Sequence, residues 1–139
     1  MADVAFELTP RLRQRVDTER ILWLSTASPS GQPAPRPVWF IWDGEAFVVY
    51  TFPASAKVAH IRANPKVAVH FNADFSGEEV DVLSGLAEVV TDPRPPSDVP
   101  AYREKYEPLV PEIGLTMAQV DEFYSVSVRV TPHRVWDVG

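Results

Sequence analysis

Residues 34–57, with the sequence APRPVWFIWDGEAFVVYTFPASAK, decide the fold of this 139-residue chain. Two apolar, aromatic-rich runs flank Asp43 and Gly44, a dipeptide that is typical of a tight turn between antiparallel strands. The first run predicts a strand from residue 34 onward, and residues 47–52 predict its partner. The stretch therefore indicates a β-hairpin, followed by a short segment that opens a helix.

That short segment collects polar groups at the start of a helix predicted over residues 55–63. Thr51 ends the strand, and Ser55, Ala56 and Lys57 follow it. The first backbone N–H groups of a helix have no intrahelical partner and favour an anion. A lysine gains nothing from the helix dipole at this position, unless an anion lies beside it. The pattern predicts a planar cofactor that bears a phosphate, with its ring on the first strand and its phosphate at the Ser55–Lys57 corner.

The amino-acid composition and the net charge exclude several classes of protein. The chain is 45% hydrophobic, which is typical of a globular protein, and we expect one domain over residues 1–139. It contains no cysteine, so disulfides and thiolate metal sites are excluded. A net charge of −6 argues against nucleic-acid binding, which needs a basic surface. No apolar run is long enough for a membrane span, and a cytoplasmic location is expected.

Three prolines occupy alternate positions of the first strand. Pro33, Pro35 and Pro37 carry no N–H, so one side of this strand is expected to lack ladder partners. Either this is an ordinary edge strand, or the backbone around Pro37 and Val38 is free to hydrogen-bond a heteroaromatic ring. Trp39 is interpreted as core or interface packing rather than as a stacking platform.

The remaining patterns predict short elements joined by turns. Thr9 and Thr116 are expected to cap helices, as is Ser97 or Asp98, and Gly85 is expected to mark a bulge. The other helices are predicted at residues 10–19, near 99–106 and at 117–123. The other strands are predicted at residues 21–27, 66–72, 79–90, 124–131 and 134–138. Pro132 and His133 are expected to separate the last two strands. About six or seven strands with three or four helices favour a mostly antiparallel barrel, which removes exposed strand edges.

The chain carries none of the familiar catalytic motifs. It has no GxGxxG, no GxxxxGK[ST] and no GxSxG. His60, His70 and His133 lie in separate segments without metal-ligand spacing, so no metal site is expected. A cofactor must therefore carry any hard chemistry.

In these features the chain resembles the pyridoxamine 5'-phosphate oxidase-like family of flavin and deazaflavin split β-barrels. Within it, the chain is most similar to the small actinobacterial oxidoreductases that depend on the deazaflavin coenzyme F420. The matching segments are ILWLSTASPSGQPAPRPVWFIWDG at 21–44, FVVYTFPASAKVAHIRANPKVAVHF at 47–71, GLAEVV at 85–90 and TPHRVWDV at 131–138.

The resemblance implies a six-stranded antiparallel split barrel with short helices. It also implies a homodimer with cofactor sites at the subunit interface, where the second subunit contributes residues from late in its chain. The cofactor-binding residues expected on this basis are Arg36, Pro37, Val38, Trp39, Tyr50, Thr51, Ser55, Ala56, Lys57, Arg134 and Trp136.

Coenzyme F420 is favoured over FMN as the cofactor. The phosphate corner offers mainly Lys57, whereas FMN-using relatives often have more arginine there. Arg11, Arg13 and Arg15 either form a solvated helix face or meet the acidic tail that only F420 carries. The expected activity is hydride transfer between F420 and an unsaturated or conjugated small molecule. The protein would be a reductase whose proton comes from solvent, Tyr50 or His70. The alternatives are an FMN-binding oxidoreductase and a non-catalytic protein that binds a cofactor or a haem-like ligand.

Overall fold

Seven strands form one antiparallel sheet in the computed structural model, which describes residues 6–136. The order of the strands across the sheet is β2-β1-β5-β6-β7-β4-β3. The strands are β1 Leu22–Ala27, β2 Pro33–Val38, β3 Ile41–Trp42, β4 Phe47–Thr51, β5 Lys66–His70, β6 Val82–Val90 and β7 Val126–Val135.

The sheet curls into a split barrel, as the sequence predicted, although it has seven strands rather than six. β2 and β3 stand at opposite ends of the strand order, yet only Trp39 and Phe40 separate them in the chain. The two edges of the sheet must therefore come close together. The prediction of one unbroken first strand was wrong, because this stretch divides at Trp39-Phe40 and its halves pair with β1 and β4 respectively.

A buried tyrosine hydroxyl holds the chain at this division. The backbone N–H of Phe40 donates to Tyr106 Oη across 2.8 Å instead of to a strand. The same hydroxyl lies 2.9 Å from the Phe40 carbonyl oxygen and 2.7 Å from that of Arg20, both of which can accept its proton. Phe40 and Tyr106 are completely buried. The Tyr106 hydroxyl therefore provides the hydrogen bonds that a neighbouring strand would otherwise give to the backbone of Phe40.

Four α-helices and three short 3₁₀ turns complete the described chain. Thr9 and Thr116 cap helices as predicted, and Thr116 forms a reciprocal capping box with Gln119. The predicted cap at Ser97 or Asp98 was wrong, because a 3₁₀ turn occupies that position. The helices are α1 Pro10–Thr18, α2 Ala56–Ala63, α3 Pro100–Tyr106 and α4 Met117–Phe123, and the 3₁₀ turns are Pro96–Asp98, Glu107–Leu109 and Pro111–Ile113.

Alternating residues of the sheet separate two hydrophobic cores. On β4, Phe47 and Val49 point into the barrel interior, whereas Val48 and Tyr50 pack against a second core outside it. α3 and α4 build that second core, which is centred on the fully buried Tyr106 and Val120. Period-two alternation thus gives β4 two apolar faces. The helical segment after β6 is consequently held against the outside of the barrel.

β7 runs unbroken through Pro132 and His133, so the predicted break there was wrong. The register pairs Gly85 with Pro132 and Ser84 with Arg134, which leaves His133 as an extra residue in a bulge. The bulge confirms the irregularity predicted at Gly85. A proline has no N–H to donate to a ladder, and a bulge is one of the positions in a sheet that accept it.

The last part of the predicted final strand, residues 137–138, lies outside the described residues. Between residues 6 and 136, no helix has the length and apolar character needed to cross a membrane. The same range contains no group of three histidine, aspartate or glutamate side chains placed to hold a metal ion.

Candidate functional site

A cleft of about 470 Å³ opens between the barrel and the helical segment that packs outside it. One wall comes from the ends of β2 and β4 and from the start of α2, and the other comes from residues 102–124. The lining side chains are those of Pro37, Val38, Trp39, Tyr50, Thr51, Phe52, Lys57, Tyr102, Ile113, Leu115, Val120, Phe123 and Tyr124.

The predicted phosphate corner is assembled at one end of this cleft. Lys57 Nζ donates to Thr51 Oγ1 across 3.2 Å, and Thr51 Oγ1 donates to Ser55 Oγ across 3.2 Å. Thr51 and Ser55 are buried. Ser55 is the N-cap residue of α2, but its hydroxyl caps no backbone N–H. The N–H groups of Ala56 and Lys57 at the start of the helix therefore have no intrahelical partner beside the two hydroxyls and the ammonium, whereas that of Val58 donates to the Ser55 carbonyl oxygen.

The corner carries an excess of positive charge. Burial lowers the pKa of Lys57, and the positive charge of Arg36 lowers it further. Arg36 is exposed and donates to the Pro35 carbonyl oxygen across 2.8 Å. Among the described residues, no acidic side chain forms an ion pair with Lys57 or Arg36. Two cations that repel each other, with no counterion bound to either in the described chain, give this corner a positive potential.

The free edge of β2 offers carbonyl acceptors and no N–H donors at its prolines. β2 ends the strand order and pairs with β1 alone, with Pro37 opposite Trp23. In an antiparallel pair of strands, directly opposed residues alternately exchange two backbone hydrogen bonds or none. A proline has no N–H and therefore fits a position that exchanges none. The Pro37 carbonyl therefore points to the free edge, whereas the N–H of Val38 faces β1. The edge suits a ligand ring that brings its own N–H.

Trp39 links the cleft to the second core. Its ring stacks on Tyr106, with centroids 4.6 Å apart and planes 7° from parallel. Trp39 is partly buried in this packing, as the sequence predicted, and it also lines the cleft. The side chain therefore contributes a rigid aromatic wall.

Tyr50 and His70, the two side chains proposed as proton donors, lie in different environments. Tyr50 lines the cleft, but its hydroxyl donates to the Arg94 carbonyl oxygen across 2.8 Å, and burial raises its pKa. His70 is not part of the cleft lining. It stacks on Trp23 with ring centroids 6.0 Å apart, and its Nδ1 lies 3.1 Å from the Phe71 carbonyl oxygen.

Arg134 and Trp136 lie away from the cleft of their own chain. The Arg134 guanidinium stacks over the Trp136 ring at 3.9 Å, and the Trp136 indole N–H donates to Ser84 Oγ. Ser84 alternates along β6 with the buried Leu83 and Gly85, so this pair occupies the outer face of the sheet. Their contribution to a site in a second subunit stays a prediction.

Two of the three arginines considered for an acidic cofactor tail are engaged elsewhere. Arg15 Nη1 and Arg11 Nη2 lie 2.8 Å and 3.0 Å from the same oxygen of Asp81. Arg15 also binds Glu19 across 2.8 Å. None of the three arginines, Arg13 included, lines the cleft. The hypothesis of an arginine-bound tail therefore rests on Arg13, which is exposed.

The sequence reasoning assigned no role to the opposite wall of the cleft. This wall is mostly apolar and also presents phenol rings, and it comes from α3, α4 and the residues between and after them. One local signal was available, since Tyr102 and Tyr106 stand four residues apart and so share one helix face. The missed residues of this wall are Tyr102, Ile113, Leu115, Val120, Phe123 and Tyr124, and Phe52 was missed on the facing wall.

Comparison with known proteins agrees with this architecture. A solved structure named F420 reductase is 25% identical to this chain and superimposes with a TM-score of 0.66, covering 89% of this chain and 94% of that one. A conserved hypothetical protein from Mycobacterium tuberculosis is 23% identical, with a TM-score of 0.69 over 99% of this chain and 89% of that one.

The same fold also occurs in a haem storage protein, HutZ from Vibrio cholerae. That chain is 15% identical, with a TM-score of 0.62 and 94% of each chain covered. The family described as pyridoxamine 5'-phosphate oxidase matches residues 8–139, which is nearly the whole sequence. Together with the split barrel and its cleft, this match shows that the chain belongs to the pyridoxamine 5'-phosphate oxidase family.

Proposed function

We propose that this protein is an F420-dependent reductase that acts on an unsaturated or conjugated small molecule. The observation that carries the proposal is the cationic corner of Lys57, Thr51 and Ser55, which has no carboxylate partner among the described residues and adjoins the acceptor-only edge at Pro37. These groups fit a cofactor that combines a phosphate with a planar ring bearing an N–H.

Each group has a definite task in this proposal. Lys57 and the Thr51 hydroxyl bind the phosphate together with the first N–H groups of α2. The Pro37 carbonyl and the Trp39 ring orient the planar part, and the apolar opposite wall excludes water. Reduced F420, when bound, supplies a hydride to a conjugated carbon of the substrate.

Two observations support F420 over the alternatives. The 25% identity to a protein named F420 reductase extends over 89% of the chain. No histidine of the described chain lines its own cleft, so an imidazole ligand for haem would have to come from outside this lining. The phosphate corner itself would accept either F420 or FMN, because both present a ribityl phosphate.

Parallel titrations of cofactor-stripped protein with F420 and FMN test the proposal. We expect F420 to bind at least about tenfold more tightly than FMN, which corresponds to about 1.4 kcal/mol. Reduced F420 should then be oxidised, under anaerobic conditions, in the presence of conjugated acceptors and enzyme. Preference for FMN would assign the protein to flavin chemistry. Tight F420 binding without turnover of any acceptor would favour a cofactor-binding role.

We also propose that the active form is a homodimer whose second subunit covers the outer face of the sheet. That face carries exposed apolar side chains, including Leu86 and Trp136 at 49% and 45% exposure. Trp23 and His70, stacked on each other, lie on adjacent strands of the sheet. Exposed apolar groups on one face are typical of an interface, and Trp136 would then reach the partner's cleft.

Light scattering after size exclusion tests this arrangement. The protein should have the mass of two chains, and Leu86→Glu should reduce it to that of one chain because the substitution places a charge in the interface. Gln14→Glu, which introduces the same charge at an exposed position of α1 away from this face, is the matched control and should remain dimeric. A monomeric wild-type protein that binds F420 fully would contradict the shared site.

A further inference from the structure

A second cleft of about 470 Å³ opens where the end of α1 meets β3 and α3. It shares no lining residue with the cleft that Lys57 lines, and the proposed cofactor chemistry makes no use of it. Lys105 on α3 lines this second cleft and is partly exposed. A small solute that enters the second cleft can therefore contact this lysine.

Backbone carbonyls, rather than carboxylates, hold the amino group of Lys105. Its Nζ donates to the Val16 carbonyl oxygen across 3.1 Å and to that of Phe40 across 3.3 Å. No acidic side chain of residues 6–136 forms an ion pair with it. A neutral amine keeps two N–H donors, as many as these carbonyls accept, and gains a lone pair. Loss of one proton therefore leaves both hydrogen bonds possible and creates a nucleophile.

The surroundings of Lys105 favour this neutral form. Burial lowers its pKa to about 8, although the carboxylates of Asp17 and Glu19 at the end of α1 oppose the shift. β3 adds no charged side chain, and Arg20 and Glu104 bring one charge of each sign to the cleft lining. At pH 7.5 roughly a quarter of the Lys105 side chains are then neutral, against about one in a thousand for an ordinary lysine.

We propose that Lys105 is a modification site that accepts a small acyl group from an acyl phosphate within the second cleft. The amine nitrogen attacks the carbonyl carbon of the donor, and a C–N bond forms while the bond from that carbon to the phosphate oxygen breaks. Phosphate leaves with the electron pair of the broken bond, and the amine proton passes to solvent. Arg20, which makes no ion pair within the described chain, offers a cation to the leaving phosphate.

Acylation breaks a link between the second cleft and the Lys57 cleft. The amide product has one N–H and no positive charge, so it serves only one of the two carbonyls. It also loses the attraction to the Phe40 ring, whose centroid lies 3.6 Å from Nζ. Phe40 directly follows Trp39, which lines the Lys57 cleft. Modification of Lys105 therefore loosens the chain at the residue that follows Trp39.

The chain contains three lysines, so a competition within one molecule tests the site. Folded protein is incubated with acetyl phosphate at several values of pH between 6.5 and 9.5, and peptide mass spectrometry follows the initial rates of acetylation. Lys66, which is exposed at the start of β5, is the matched control for Lys105. Each rate is divided by that of the same lysine in urea-unfolded protein. Circular dichroism checks that the protein remains folded during the reaction.

We expect the normalised rate at pH 7.5 to be about tenfold higher for Lys105 than for Lys66. This factor is smaller than the ratio of the neutral fractions, because burial restricts approach and a less basic amine is a weaker nucleophile. The rate at Lys105 should level off above about pH 8.5, whereas that at Lys66 should keep rising. A Lys105 that reacts no faster than Lys66, or only after unfolding, would overturn the site, as would parallel pH profiles.

A second variant tests whether the acyl donor enters through the second cleft. Ala101 lines this cleft and precedes Lys105 by four residues, so both share one face of α3. Ala101→Leu narrows the cleft and should slow acetylation of Lys105 at least about threefold, with Lys66 unchanged. An unchanged rate at Lys105 would contradict entry through this cleft. These assays need no F420, so their outcome is independent of the proposed reductase function.

Discussion

Lys57 Nζ lies 3.2 Å from the hydroxyl oxygen of Thr51, across the turn that joins β4 to α2. The lysine is six residues further along the chain and returns over this turn to the end of the strand. Its ammonium is half-buried, and no carboxylate in the described chain pairs with it. A lysine that is held in this way without a counterion is prepared to receive an anion.

Tyr106→Phe should destabilise the fold. The substitution removes the hydroxyl that satisfies the Phe40 N–H and leaves this buried donor without a partner. We expect the free energy of unfolding, measured by urea denaturation, to fall by about 2–3 kcal/mol. Tyr124→Phe is the control, because no hydrogen bond engages the Tyr124 hydroxyl within the described chain, and it should change stability by less than about 0.5 kcal/mol. Equal effects would contradict the role given to Tyr106.

Gly85→Ala should also be destabilising, because the β7 bulge lies against the glycine. An added Cβ would stand 2.8 Å from the Thr131 carbonyl oxygen and 2.9 Å from Val130 Cγ1. We expect a loss of about 1–3 kcal/mol in the same assay. Glu88→Ala, at an exposed position of the same strand, should remain within about 0.5 kcal/mol of wild type. A neutral Gly85→Ala would show that the bulge can move.

Asp81→Asn tests whether Arg11 and Arg15 are structural. Asp81 is 7% exposed and accepts from both guanidinium groups, so the neutral amide leaves these cations poorly paired. Stability should fall by about 1–3 kcal/mol while F420 affinity stays unchanged. The exposed pair Arg103–Glu107 provides the comparison, and Glu107→Gln should cost less than about 1 kcal/mol. A marked loss of F420 affinity in Asp81→Asn would indicate that Arg11 and Arg15 help to bind the cofactor.

Lys105 should make stability depend on pH in the mildly alkaline range. Burial lowers its pKa from 10.5 to about 8, and its ammonium lies 3.6 Å from the Phe40 ring centroid. Between these two pKa values the unfolded chain keeps the proton that the folded protein has lost, so stability rises with pH. The gain is absent below the folded pKa, where both states are protonated.

Comparison with Lys105→Met isolates this contribution. Between about pH 7.5 and 9.5, the free energy of unfolding of the wild type should rise relative to that of the variant by about 1–2 kcal/mol, a value reduced from the full linkage because the group is only half-buried. Only the pH dependence is compared, since the variant also loses hydrogen bonds to Val16 and Phe40. Parallel pH profiles would show that the pKa of Lys105 is not lowered.

Short-range chemistry made part of this structure predictable. The caps at Thr9 and Thr116, the irregularity at Gly85 and the clustering of Thr51, Ser55 and Lys57 all depend on residues close together in sequence or on one glycine's backbone. The curled antiparallel sheet followed from the number of strands and the shortness of their turns. These features required no knowledge of distant contacts.

Other features depend on partners far along the chain and could not be predicted. β2 and β3 are separate strands because Tyr106, 66 residues away, bonds the backbone of Phe40. The break expected at Pro132 does not occur because Gly85 on the neighbouring strand accommodates the bulge. The Tyr102 wall of the cleft likewise depends on how the helical segment packs across the barrel, which no local pattern specifies.

The central claim is that the Lys57 corner holds the phosphate of a deazaflavin, and F420 affinity in Lys57→Ala tests it most directly. Arg62→Ala removes one positive charge from the same helix at an exposed position away from the cleft. We expect Lys57→Ala to weaken F420 binding by about 10- to 100-fold, as the loss of a charge-assisted hydrogen bond predicts, and Arg62→Ala by less than about twofold. Unchanged affinity in Lys57→Ala, or an equal loss in both variants, would contradict the account.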